Sequence, residues 1–156
     1  MRTIVLLFCL LLAAPGRTQE TRTEFAVIVH PSAPLDRLSM ADLRKIYLGD
    51  RQFWNSNLRI NPMLRSPVTR ERAAVVWTVC KMSEAEFSKH WISKVMRAEC
   101  SAGPRQFSTN QAAMDLLNSL PGSIAVVNAA QLDRNVKVLA IDGKKPGEAG
   151  YALQIK

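Results

Sequence analysis

Phe25-Ala26-Val27-Ile28-Val29 is an unbroken apolar run rich in β-branched residues, and its reading decides the fold. A strand with one wet face alternates apolar and polar side chains. This run does not alternate, so it belongs in a sheet covered on both faces, as parallel sheets are. His30-Pro31-Ser32-Ala33-Pro34 ends it, because each proline pushes the residue before it toward extended backbone. Ile124-Ala125-Val126-Val127 is a second run of the same kind, entered through Pro121-Gly122. A further strand is expected over residues 58–64, with Pro62 demoting it toward a sheet edge. Residues 136–141 and 151–155 read as the closing strands, the first ended by Asp142-Gly143.

Helix signals separate these strands. Ser39 and Asp42 resemble a capping box, and the helix through Leu43 and Ile46 stops at Gly49, placed for a left-handed C-cap. Ser66-Pro67 reads as a capping hydroxyl followed by proline at the first helical position. The helix it opens is apolar almost all round over residues 73–79, so it is expected to be central and buried. Ser83-Glu84-Ala85-Glu86 opens the next helix, with Phe87, Trp91 and Val95 as its inner stripe. Residues 97–107 read as a loop, and Ser108-Thr109-Asn110-Gln111 caps a last helix with Ala113 and Leu117 inward. The alternation predicts an α/β fold. It is a single three-layer domain with a mostly parallel central sheet of about four or five strands.

The N-terminus reads as an export leader over residues 1–18, which leaves residues 19–156 as the folded domain. Arg2 precedes the apolar run 4–14, and Pro15-Gly16-Arg17-Thr18 breaks it. Eleven residues make a helix of roughly 16 Å, too short for a hydrocarbon core of about 30 Å. The alternative, a buried N-terminal helix, is disfavoured because the run has no polar face. No later stretch is long and apolar enough to span a bilayer. Loss of Arg2 and Arg17, with no acid beside them, lowers the net charge from +8 to +6. The basic residues are spread along the chain, which suits anions better than a nucleic-acid groove. The hydrophobic content of 47% argues against disorder.

Cleavage also removes Cys9, leaving Cys80 and Cys100. In an oxidising compartment this pair is expected to form a disulfide, stabilising the fold by roughly 3 kcal/mol for a loop of about 20 residues. A redox or metal pair is the weaker alternative, since there is no Cys-x-x-Cys and no histidine at ligand spacing.

Nothing in the sequence points to catalysis or to a cofactor. His30 ends a strand, and His90, four residues after Glu86 on a helix, is expected to pair with it at the surface. There is no nucleophile elbow, no zinc-protease motif, no phosphate loop and no dinucleotide fingerprint. The most suggestive chemistry is Arg65-Ser66-Pro67-Val68-Thr69-Arg70, at a handover from strand to helix. A helix start offers free N–H groups and a positive dipole end to an oxyanion, and Arg65, Ser66, Thr69 and Arg70 offer side-chain donors. An ordinary capped helix with solvated arginines is the other reading of the same residues. Trp77 and Trp91 fall on inward helix faces and are expected in the core; Trp54 either lines a ligand or pins its loop.

Four pieces in order carry a resemblance. They are Ala26-Val27-Ile28-Val29-His30-Pro31; then Leu38-Ser39-Met40-Ala41-Asp42-Leu43-Arg44-Lys45-Ile46-Tyr47-Leu48-Gly49 with Trp54; then Leu120-Pro121-Gly122-Ser123-Ile124-Ala125-Val126-Val127; and last the stretch from Val136 through Tyr151-Ala152-Leu153. Together they resemble the phosphate-binding proteins of ABC importers, which are type II periplasmic binding proteins. The resemblance implies one lobe of that fold, the second, and a periplasmic or secreted module without enzymatic activity or cofactor. It places the phosphate ligands at Arg65, Ser66 and Thr69. Arg70 and Glu71 stand where the family has glycine and threonine. It implies two kinds of partner: phosphate or a similar oxyanion, or a periplasmic or membrane-associated protein if the fold persists as a scaffold without ligand.

Overall fold

Every side chain from Phe25 to Val29 is fully shielded from water, and so are Ile124, Ala125 and Val127. The computed structural model describes residues 22–133 and 135–155, so the expected leader lies outside the described residues. The first apolar run is strand β1, Thr23–Val29. It is followed by β2, Arg37–Leu38, helix α1, Met40–Tyr47, and a small hairpin of β3, Phe53–Asn55, with β4, Leu58–Arg59. Strand β5, Asn61–Arg65, leads into helix α2, Arg70–Ala73, which widens into a π-helical stretch, Ala74–Val79. Helix α3, Glu84–Met96, strand β6, Arg105–Phe107, helix α4, Asn110–Ser119, and strand β7, Ser123–Asn128, come next. Short strands β8, Lys137–Val138, β9, Ala140–Ile141, and β10, Gln154–Ile155, complete the order.

Among the described residues the central sheet has six strands, in the order β10-β1-β7-β5-β6 with β8 also paired to β1. Strands β7, β5 and β6 are parallel to one another. Strands β10 and β8 pair antiparallel to β1 and so run the same way as those three. The sheet is thus mostly parallel, with β1 alone opposed, antiparallel to β7 from Phe25↔Asn128 to Val29↔Ile124. One face carries Phe25, Val27, Val29, Ile124 and Val126 against Tyr47, Val75, Val79, Phe87 and Trp91. The other carries Ala26, Ile28, Met63, Ala125 and Val127 against Phe107, Ala113 and Leu117. Helices therefore cover both faces, and the architecture is three-layered. Among the described residues no helix is long and apolar enough to cross a membrane.

Several expectations are corrected. The sheet has six strands because residues 97–107 contain β6, an edge strand with one buried side chain, Phe107. Pro62 lies inside the sheet rather than on its edge. Asn61 N–H donates to Gly122 O on the β7 side, so the proline nitrogen faces the other way, where β6 begins only opposite Met63. Residues 136–141 split into β8 and β9, which pair with β1 and β2 respectively. The helix start shifts from Ser66-Pro67 to Thr69, because Val68 has a left-handed φ of 63° and breaks the turn that Ser66 would open; Ser66 instead extends the sheet, its N–H donating to Phe107 O of β6 at 2.9 Å. Trp77 is 60% exposed rather than buried. The chain there follows a wider π-turn, in which Cys80 N–H reaches Val75 O, and Trp77 faces outward from it. On α3, Lys94 replaces Val95 on the inner side, drawn by Asp50 and Glu99. His90 bonds the Leu48 carbonyl at 2.9 Å, while the Glu86 carboxylate is held by Ser83.

The expected disulfide is absent: Cys80 and Cys100 are both free, buried thiols. Each is held in its own surroundings. Cys100 Sγ reaches Gly49 O at 3.7 Å, and Cys80 closes the π-turn. Burial pushes the Cys80 thiol up to about 12, against the opposing pull of Arg44.

Candidate functional site

Strand β5 ends at Arg65, in register with Phe107 of β6. The guanidinium carbon of Arg65 lies 5.7 Å from the centre of the Phe107 ring. Among the described residues its buried Nε and Nη1 atoms have no hydrogen-bond partner. A buried donor without an acceptor costs about 1–3 kcal/mol, and more when the group is charged. Buried donors are otherwise nearly always paired, and among the described residues the only aromatic contact of this guanidinium is the Phe107 ring.

The turn that follows is tight. Val68 adopts a φ of 63°, where a β-branched residue is strained by about 1–3 kcal/mol. Its side chain is fully exposed, so packing does not repay that strain. Thr69 is the N-cap of α2. Its hydroxyl donates to Ser66 O at 2.9 Å and accepts from Arg72 N–H at 3.4 Å. Both capacities of that hydroxyl are therefore used locally. Arg70 turns away and donates from Nη1 to Thr23 Oγ1 of β1 at 2.7 Å. Of the four residues proposed from sequence, Arg65 and Ser66 stay together at the end of β5. Thr69 shapes the turn, and Arg70 ties it to the sheet.

Arg72 is the residue that sequence reasoning missed. It is 7% exposed and makes two hydrogen bonds from Nε to the Glu84 carboxylate, at 2.8 and 3.0 Å. Its Nη1 also donates to Arg65 O at 3.3 Å, fixing the backbone from which Arg65 projects. Its signal in the sequence is slight, because the partner lies on the next helix. Trp54, left open between two roles, pins its hairpin: its indole N–H donates to Gly122 O at 3.0 Å.

No protein family and no functionally curated protein matches the sequence. Solved structures match the fold. A protein described as a phosphate ABC-transporter substrate-binding protein of Clostridium perfringens, with bound phosphate, is 16% identical with a TM-score of 0.63; the match covers 80% of this chain and 47% of that one. An ABC-type phosphate transport receptor of Vibrio cholerae is 14% identical with a TM-score of 0.65, over 85% of this chain and 54% of that one. PstS of Borrelia burgdorferi is 12% identical with a TM-score of 0.66, over 85% and 55%. The chain spans about half the length of each. Its fold is that of one lobe of such binding proteins: the three-layer α/β order that the strands and helices implied, as the single lobe that the resemblance implied.

Proposed function

We propose that this chain is a non-catalytic binding module, exported through a leader over residues 1–18, whose folded part, 19–156, holds a small oxyanion such as phosphate or sulfate. The observation that carries this reading is Arg65: two buried guanidinium N–H groups at the end of β5 without an acceptor. A planar guanidinium offers two parallel hydrogen bonds to two oxygens of one anion. The Ser66 hydroxyl adds a donor, and Arg72 neutralises Glu84 while holding the Arg65 backbone. Thr69 and Arg70 contribute by shaping and anchoring the turn. Glu71, on the first turn of α2, opposes the anion's charge and limits its affinity. A single lobe leaves one side of the anion to water or to a second chain, so binding is salt-sensitive.

The test is thermal unfolding with and without phosphate and with and without sulfate, in parent and Arg65→Ala. An anion at a hundred times its dissociation constant adds about 2.7 kcal/mol of stability to the parent. The variant folds but loses that response. A response that survives Arg65→Ala overturns the site.

A second reading rests on a different observation. Trp77 and Ile92 are each 60% exposed and Met96 is 82% exposed. Such residues suit a scaffold that docks a periplasmic or membrane-associated protein and has given up its ligand. A parent chain indifferent to every oxyanion favours this reading.

A further inference from the structure

A second basic site lies at the opposite end of the sheet. A cleft of about 410 Å³ opens where Asn61 begins β5. Four residues of extended chain put it about 13 Å from Arg65. Arg51, Arg59 and Arg105 line it, and no lining residue is acidic. Among the described residues, neither Arg59 nor Arg105 is in an ion pair. The acids next to the cleft in sequence, Asp50 and Glu99, are both engaged by Lys94, at 2.5 and 3.4 Å. Arg51 shares the partly exposed Asp42 with Lys45 at 3.8 and 3.7 Å, weak contacts in water.

Arg51 and Arg59 are positioned rather than loose. The Arg51 guanidinium lies 5.7 Å from the Trp54 ring centre, and that of Arg59 lies 6.0 Å from the Phe53 ring centre. Arg59 Nη2 donates to Gln52 Oε1 at 3.4 Å, and Gln52 is itself fixed by donating to Glu99 O at 3.0 Å. The floor is apolar. Trp91 is locked by its indole N–H to Tyr47 O at 3.2 Å and, packed beneath Gly49 and Gly103, keeps 8% of its surface exposed. A Cβ at Gly49 would stand 2.8 Å from the Trp91 ring.

We propose that this cleft binds a small organic polyanion, with an apolar body against Trp91 and acidic groups reaching the arginines. The volume falls within the roughly 300–1,000 Å³ of small-molecule sites. Three cations, with only the weakly held Asp42 beside Arg51, select against neutral and singly charged ligands. The acidic groups are carboxylates or phosphate esters, which the arginines recognise by the same forked hydrogen bonds.

The experiment is isothermal titration at low salt with benzene-1,3,5-tricarboxylate, and separately with phenyl phosphate. Benzoate serves as the singly charged comparison. Either polyanion binds the parent more tightly than benzoate; the tricarboxylate alone identifies polycarboxylates, and phenyl phosphate alone identifies phosphate esters. Arg59→Gln with Arg105→Gln weakens binding about tenfold or more, as loss of charged hydrogen bonds requires. Both side chains are exposed, so the double variant keeps the parent's melting temperature without ligand. Lys89→Gln with Lys145→Gln removes the same charge outside the cleft and leaves binding unchanged. No binding of either polyanion, or equal weakening by the two double variants, overturns the proposal.

Discussion

Alanine at Gly122 should cost far more than alanine at another left-handed glycine. Gly122 turns α4 into β7 with a φ of +77°. A methyl group there would stand 2.0 Å from Arg59 O and 3.2 Å from Arg59 C, both backbone atoms of β4. Nothing flexible can yield, so the β3–β4 hairpin itself must move. The Gly122 carbonyl also accepts from the Trp54 indole at 3.0 Å and from Asn61 N–H at 3.0 Å, and displacement loosens both. Left-handed backbone costs an L residue about 1–2 kcal/mol. Two hydrogen bonds at about 1 kcal/mol each bring the loss to about 3–4 kcal/mol. Gly147→Ala is the internal control. Its φ is +90° and no atom lies within 4 Å of the added methyl, so only the backbone penalty applies. Urea unfolding followed by circular dichroism measures both variants, and Gly122→Ala should lose about 2 kcal/mol more than the control. Equal losses would refute the claim that the hairpin is clamped onto β7 through this glycine.

Two more outcomes follow from groups whose protonation the fold has altered. The Cys80 thiol, pushed up to about 12 by burial, is almost wholly protonated at about pH 8 and should resist alkylation in the native protein, while unfolding in guanidinium exposes both thiols. Mass spectrometry decides this, and two cysteines that stay unmodified even after unfolding would mean a disulfide. The Glu86 carboxyl is held below its usual value, chiefly by the Ser83 backbone N–H and then by the Ser83 hydroxyl. A carboxyl lowered by folding contributes stability above its unfolded pKa and loses it as pH falls through the folded one. The α3 capping box should therefore weaken below about pH 4. Urea midpoints measured against pH should show a shallower acid decline in Glu86→Gln than in the parent.

The parts of the fold that sequence revealed are those whose causes are local. The apolar runs at Phe25 and Ile124 announce buried strands by composition alone. Ser39, Ser83 and Thr109 sit within three residues of the N–H groups they cap, and all three caps form. What escaped depends on distant partners. Ser66-Pro67 carries the local chemistry of a helix start, but Ser66 continues the pairing of β5 with β6 and the left-handed turn at Val68 delays the helix to Thr69. Strand β6 shows little pattern because Arg105 and Gln106 face water. Trp77 lies in an apolar run, and only the π-turn sets its direction. At the candidate site Arg65 and Ser66 were legible as a motif, whereas the buried pair of Arg72 with Glu84 joins two helices. The cleft arginines come from the loop before β3, from β4 and from β6, so no spacing could have gathered them.

The opposed direction of β1 also governs the order in which the molecule can be made. Its partners are β7, β8 and β10, none of which begins before Ser123. Strands β5 and β6, by contrast, lie close enough in the chain to meet early. Contacts between remote segments form slowly because a long loop must close first. A growing chain therefore carries its most apolar strand without a partner until residue 123 has been synthesised. An unpaired segment of this kind is prone to aggregation.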